Sequence, residues 1–101
     1  MKAAIYIRAN NTQRVAEQLF PLYAKALKKN YEVTLKNIYT DDGSANKPDR
    51  SGLEALLFDA HQGQFDKLLV TSYDRLARRE TDIIEINRVL ELSNVDIEMV
   101  N

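Results

Sequence analysis

The sequence predicts an α/β fold, a three-layer α/β/α domain with a mostly parallel central sheet of about four strands. Three observations carry this. Short apolar runs rich in β-branched residues alternate with longer segments whose apolar residues recur at helical spacing. The runs are nearly continuous in their apolar character, as expected of strands covered on both faces. Cap and turn residues fall between the two kinds of segment, giving the order β-α-β-α-β-α-β with no internal repeat, linker or low-complexity stretch.

Taken in order, Ala3 to Ile7 is the first strand and ends at Arg8. Asn10, Asn11 and Thr12 offer N-cap side chains to a helix whose apolar positions are Val15, Leu19, Leu22, Tyr23, Ala26 and Leu27. Pro21 lies inside that pattern and predicts a kink or a locally broken ladder; Asn30 is the stop. Tyr31 to Thr40 reads as a second strand with Val33 and Leu35 alternating against polar residues. Asp41 to Arg50 is the clearly loop-like stretch. Ser51 and Glu54 then form a Ser-x-x-Glu capping box for a helix with Leu53, Leu56, Leu57 and Ala60 on its apolar face, ended by Gly63. Phe65 to Ser72 is the third strand. Thr81 or Asp82 caps a last helix bearing Ile83, Ile86, Val89 and Leu90, and Val95 to Val100 is the fourth strand.

Composition narrows the function classes. At 101 residues the chain is one small domain, and 45% hydrophobic residues suffice for one core. With 14 Lys+Arg against 15 Asp+Glu the net charge is −1, so an anion site has to be local rather than a general basic field. The absence of cysteine excludes a disulfide framework and thiolate metal sites, and the lone His61, near a helix end, is structural. No cofactor or metal is expected. No apolar run approaches a membrane span and no signal-peptide pattern opens the chain, which predicts a cytoplasmic protein.

In an open α/β sheet, ligands meet the loops beyond the C-terminal ends of the strands. Three polar clusters fall there: Arg8 with Asn10; Asp41 through Arg50; and Asp74, Arg75, Arg78 and Arg79. The guanidinium fork matches phosphate oxygens, and arginines from three segments reach one rim. If Asp74 to Arg79 forms a helical turn, Arg75 and Arg78 are i,i+3 neighbours and Asp74 and Arg78 an i,i+4 pair. Each feature alone has a plainer explanation. A single arginine at a strand end is a surface charge, Asp41-Asp42-Gly43 is turn chemistry, and Asp74 to Arg79 is a solvated helix face. Tyr6 and Tyr73 read as core or rim residues.

Together the clusters resemble the serine site-specific recombinases: resolvases, invertases and large serine integrases. Ala4-Ile-Tyr-Ile-Arg8-Ala-Asn10 is similar to the family's opening strand, which runs into Tyr-x-Arg-Val-Ser. Asp41 through Arg50-Ser-Gly-Leu53 is similar to its acidic loop and following helix start. Phe65 through Tyr73-Asp74-Arg75-Leu76-Ala-Arg78 is similar to its strand followed by Asp-Arg-Leu-x-Arg. The resemblance is collinear over nearly the whole chain. It implies a resolvase-like catalytic domain and a metal-free phosphoryl transfer on DNA, in which a serine hydroxyl attacks a phosphodiester, forming a 5′-phosphoseryl link and freeing a 3′-hydroxyl. Such chemistry is mostly positioning and charge stabilisation. By resemblance, Arg8, Arg50, Arg75 and Arg78 hold the scissile phosphate, Asp74 orients arginines or assists proton transfer at the leaving oxygen, and Asp41 matches the loop carboxylate. The implied partner is crossover-site DNA.

The departure is at the centre, where Asn10 occupies the nucleophile position. A carboxamide nitrogen is delocalised into its carbonyl and cannot replace an alkoxide. Thr12 is the nearest hydroxyl but begins a helix; Ser44 and Ser72 belong to other loops. The family's early-helix glutamine also lacks a clean match, with Gln13 and Arg14 straddling the place and Gln18 one turn on. Family members continue into a long dimer-forming helix and a separate DNA-binding domain, and neither follows here. The expectation is therefore a catalytic domain over residues 1–101, either a fragment or a stand-alone relative. It would be monomeric alone, dimeric or tetrameric in the full-length protein, and disarmed for cleavage. The alternative from another class is a non-catalytic α/β DNA-binding or protein-interaction module derived from a mobile element. A receiver-type domain is disfavoured because strand one ends in Arg8 rather than an acidic pair, and no Gly-rich loop follows it for a nucleotide.

Overall fold

A computed structural model describes residues 1–43 and 50–100. The elements are β1 (Ala3–Ala9), α1 (Thr12–Lys28), a 3-10 turn (Leu35–Asn37), β2 (Ile38–Asp42), α2 (Ser51–His61), β3 (Lys67–Val70), α3 (Tyr73–Leu76), α4 (Glu80–Leu92) and β4 (Asp96–Met99). The strands form one parallel sheet in the order β2-β1-β3-β4, with Arg8 opposite Asp41 and Ala9 opposite Asp42. The three-layer α/β/α architecture expected from the sequence is the one observed. The sheet is parallel throughout.

Alternation along β1 sends Ala3, Ile5 and Ile7 to the α1 face and Ala4 and Tyr6 to the α2/α4 face. The first face closes on Leu22 and Ala26, with Leu69 from β3 and Val100 just beyond β4. The second closes on Leu53, Leu56, Ala60, Ile86 and Leu90, with Leu68, Val70, Leu76 and Ala77. All three long helices end alike. Asn30 (φ 58°), Gly63 (φ 75°) and Asn94 (φ 59°) take the left-handed conformation, and the next N–H returns to the carbonyl five residues back, as Tyr31 does to Ala26 at 2.8 Å.

Several boundaries depart from the sequence reading, each for a local reason. α1 continues through Pro21 because Leu22 and Ala26 beyond it are buried on the sheet and hold the second half in place. Its inward stripe is Val15, Gln18, Leu19, Leu22 and Ala26, so Tyr23 and Leu27, rotated off that line, are exposed. The second strand is Ile38–Asp42, not Tyr31 to Thr40. Thr34 Oγ1 donates to Asn37 Oδ1 at 3.1 Å, and Asn37 donates on to the Tyr39 hydroxyl at 3.0 Å. These local bonds wind Leu35–Asn37 into a 3-10 turn and leave Leu35 in solvent. β3 is shorter than Phe65 to Ser72, and α4 begins at Glu80 with Arg79 at the N-cap, ahead of the expected Thr81 or Asp82. The Ser51–Glu54 capping box is not formed. Ser51 is already helical, Arg50 is the N-cap, and the cap oxygens come from Asp41 on β2. Of the expected Asp41–Arg50 loop, Asp41 and Asp42 belong to β2, and residues 44–49 lie outside the described residues, as does Asn101.

The open end of the α1 face carries a titrating tie. Tyr31 donates to Glu98 Oε1 at 2.9 Å, and the Lys29 ammonium lies 3.2 Å from Oε2. Burial alone would raise the Glu98 pKa, but these partners outweigh it and the net displacement is downward. A carboxylate whose folded pKa lies below its unfolded value stabilises above the unfolded value, and that contribution is lost as pH falls through the folded one. We expect Glu98→Gln to be less stable near neutrality and to flatten the acid limb of stability below roughly pH 5, measured by urea unfolding against pH. An unchanged acid limb would refute the tie.

Candidate functional site

The C-terminal ends of β1 and β3 open into a cleft of about 630 Å³ whose lining includes Arg8, Asn10, Arg14, Gln18, Ser72, Asp74, Arg75 and Arg78. Each residue is delivered by a fold feature. Arg8 is the penultimate residue of β1, and Asn10 sits in the bend before α1. Asn11 caps α1, its side-chain oxygen accepting from the Arg14 N–H at 2.9 Å. This places Arg14 in the first turn of α1 and Gln18 one turn later on the same side. That turn carries no acidic residue, so the partial positive charge of the helix start faces the cleft unopposed.

The Asp74–Arg78 segment is pinned by apolar anchors. Leu76 and Ala77 are buried, and Arg50 donates through its Nη2 to the Leu76 carbonyl. The helical turn covers only Tyr73–Leu76. Ala77 is extended (φ −163°, ψ 158°), so the chain leaves the helix before Arg78. Arg75 and Arg78 are therefore not helical i,i+3 neighbours, nor Asp74 and Arg78 an i,i+4 pair. They share the cleft because burying Ala77 on the core brings the extended chain back over it.

The guanidinium groups are crowded with little internal compensation. The Arg8 carbonyl accepts from Gln18 Nε2 at 3.0 Å and, more weakly, from Arg75 Nη1 at 3.4 Å. The Nε atoms of Arg8 and Arg75 are buried without a hydrogen-bond partner among the described residues. Burial, followed by the charges of Arg50 and Arg78, lowers the Arg8 pKa, while Tyr6 and Asp41 oppose the shift. An arginine does not lose its proton at accessible pH. The cost stays in the fold, where a nearby anion would offset it.

Asp41 and Arg50 lie behind this cleft rather than in its lining. Asp41 accepts from the N–H groups of Gly52 (2.7 Å) and Leu53 (2.9 Å) and from the Tyr6 hydroxyl (2.6 Å); Arg50 Nε is 3.9 Å from its Oδ2. Arg50 Nη2 also donates to the Tyr6 hydroxyl at 3.2 Å. Burial and the bond to Asp41 raise the Tyr6 pKa, so the phenol stays protonated and keeps donating. Tyr6, a core residue, thus ties the strand bearing Arg8 to the start of α2 and, through Arg50, to the α3 segment. Tyr73 is exposed and does not line the cleft.

Of the hydroxyls weighed from the sequence, Ser72 lines the arginine cleft, Thr12 faces an adjoining shallow groove that shares Ala9 and Asn10 with it, and Ser44 lies outside the described residues. Besides Ser72, two polar cleft residues, Arg14 and Gln18, were not assigned to the site from the sequence. Arg14 was legible as one turn ahead of Gln18, and Gln18 as a polar residue within the apolar stripe of α1. Among the described residues there is no group of three or more potential metal-ligating side chains, and no helix is long and apolar enough to cross a membrane.

Comparison with known proteins gives one answer. The family model for the resolvase N-terminal domain matches residues 3–101. The Tn3 transposon resolvases of Escherichia coli and Klebsiella pneumoniae are each 29% identical over 96 residues, covering 95% of this chain. The chain spans 48% of their length. Among solved structures, the catalytic domain of ISC1926 TnpA, an IS607-like serine recombinase, superposes with a TM-score of 0.85 at 27% identity, over all of this chain and 70% of that one. The N-terminal catalytic domain of TP901-1 integrase does so with a TM-score of 0.83 at 29% identity, over 98% of this chain and 76% of that one. With three motifs in register and the arginine cleft assembled at the strand ends, the chain belongs to the resolvase N-terminal domain family, the catalytic domains of the serine recombinases.

Proposed function

We propose that this domain holds a DNA backbone phosphate in the cleft of Arg8, Arg75 and Arg78, and that with Asn10 at the attacking position it does not cleave DNA as written. Arg50 and Asp41 act behind the cleft by fixing its walls, and Asp74 orients the arginines facing it. The observation that carries the proposal is the placement of Asn10: the residue lines the same cleft as the arginines, at the position the family resemblance gives to the nucleophile. Phosphoryl transfer needs an oxygen nucleophile whose bond to phosphorus replaces the bond to the departing 3′-oxygen, and an amide cannot supply it. In a longer protein the domain would work as a dimer or tetramer on crossover-site DNA.

The test compares the chain as given, Asn10→Ser and Ser72→Ala on supercoiled DNA carrying the crossover site of its own element, with denaturing gels scored for covalent protein–DNA adducts. We expect none from the chain as given and a 5′-phosphoseryl adduct from Asn10→Ser, with release of a 3′-hydroxyl. Adducts from the chain as given that vanish in Ser72→Ala would move the nucleophile to Ser72 and overturn the reading of position 10.

A further inference from the structure

Helix α1 carries two apolar faces, and the sheet covers only one of them. Val15, Leu19, Leu22 and Ala26 turn inward. On the outward side Phe20, Tyr23 and Leu27, spaced i, i+3 and i+7, are 71%, 43% and 60% exposed. Ala24 is exposed beside them, and Ala16, one turn before Phe20, is half-buried. A single apolar side chain in water is ordinary, but a helix laid on a sheet normally turns a polar face outward. Three large apolar residues in one stripe mark a contact surface. The flanking charges name its occupant. At 3.6 residues per turn Glu17 and Lys28 fall on the same flank of the stripe, and both are exposed. Glu17 accepts only a long bond from Gln13 Nε2, 3.4 Å, and Lys28 makes no ion pair or side-chain hydrogen bond among the described residues. A two-fold axis crossing α1 at the level of Leu22 sets Glu17 of each copy against Lys28 of the other. The same operation sets Phe20 against Ala24 and Leu27 against Ala16, large against small.

We propose that the outer face of α1 is a self-docking surface, on which two copies of this chain pair antiparallel through Phe20, Tyr23 and Leu27. Reciprocal Glu17–Lys28 ion pairs set the register. The contact is isologous, so it closes as a dimer and does not propagate. Ala16 and Ala24 let the helix axes approach to the roughly 8–10 Å of packed helices. Arg14 and Gln18 lie on the other side of α1, so pairing leaves the arginine cleft open, and the proposal stands independently of the phosphate reading. One pair of helices buries less than the roughly 1,200 Å² of a stable complex, so the dimer is weak, with a Kd on the order of 100 µM. At micromolar concentrations the isolated domain is then a monomer, and the contact fills when copies are held close together.

The experiment is sedimentation equilibrium of the chain at low salt, from about 10 µM to about 1 mM. The mean mass should rise from monomer towards dimer across that range. Phe20→Gln should weaken association about tenfold or more, because it removes the largest apolar anchor. Glu17→Lys and Lys28→Glu should each weaken it about fivefold, since either change turns two ion pairs into two like-charge contacts. Mixing these two charge variants should restore association, because each then meets opposite charge in the other copy, and the double variant should recover likewise. All three positions are exposed, so circular dichroism melts should be unaltered, and the charge variants keep the test sharp if Phe20→Gln melts early. A chain that stays monomeric over the whole range would leave the stripe to a different partner and overturn the proposal. Association that ignores Phe20→Gln would place the contact on another surface. Charge variants that weaken nothing, or fail to recover on mixing, would rule out the antiparallel pair.

Discussion

Asp41→Ala should destabilise the domain by about 3–5 kcal/mol, the cost of stripping a buried charge cluster of one sign. The Asp41 side chain is 2% exposed and serves four partners: the N–H groups of Gly52 and Leu53, the Tyr6 hydroxyl and the Arg50 guanidinium. Removing it uncaps α2 and leaves Arg50 without a counter-charge beside a core tyrosine. For a domain near this size the loss corresponds to a fall in melting temperature of roughly 15–30 °C. Asp41→Asn, which keeps one acceptor oxygen, should cost less. Asp41→Ala combined with Arg50→Met should cost less than the sum of the two single changes, because the charge left behind is gone as well. Urea unfolding measures all four proteins. A loss below about 1 kcal/mol for Asp41→Ala, or strict additivity with Arg50→Met, would show that the cluster is not held by this charge.

Gly52→Ala should cost nearly as much, for a steric reason. A Cβ on Gly52 would lie 2.5 Å from the Thr40 carbonyl oxygen and 2.8 Å from Asp41 Oδ1. The first of these is strand backbone and cannot rotate away, so α2 would have to back off β2 and lengthen both cap bonds. We expect about 2–4 kcal/mol. Gly63 provides the control. Its φ of 75° disfavours a side chain, but nothing lies within 4 Å, so alanine there should cost only about 1 kcal/mol. Gly43, whose Cβ would meet Ala9 backbone atoms at an ordinary 3.5 Å, should tolerate alanine best. Thermal melts of the three variants test the ranking, and a Gly52→Ala protein as stable as Gly63→Ala would refute the close approach.

The two junction residues also show where sequence reasoning ran out. Ser51 and Glu54 have the spacing of a capping box, a signal contained within one helix. It lost to Asp41, ten residues before Ser51, whose ionised oxygens bind two N–H groups more strongly than a serine hydroxyl binds one. Local hydrogen bonding likewise overrode alternation at Val33 and Leu35, where Thr34 and Asn37 curl the chain. Chain reversals at Asn30 and Gly63 were legible because they depend on the residue's own backbone freedom, whatever its neighbours. At the cleft, Arg8, Asn10, Asp74, Arg75 and Arg78 could be named in advance because each sits at a strand end whose rim position follows from topology. Arg14 and Gln18 belong to a helix face, and which face looks into the cleft depends on how α1 lies on the sheet.

By itself the sequence determined the layers, the parallel sheet, the ends of the first two long helices and the convergence of arginines on one rim. These follow from periodicity, cap chemistry and the placement of loops in α/β sheets, all properties of short stretches. Only the tertiary structure decided that Asp41 and Arg50 stand behind the cleft while Arg14, Gln18 and Ser72 line it, and that Tyr6 ties the two regions together. Such assignments rest on contacts between segments as far as 67 residues apart, set in part by a strand register of Arg8 against Asp41 that no local pattern encodes.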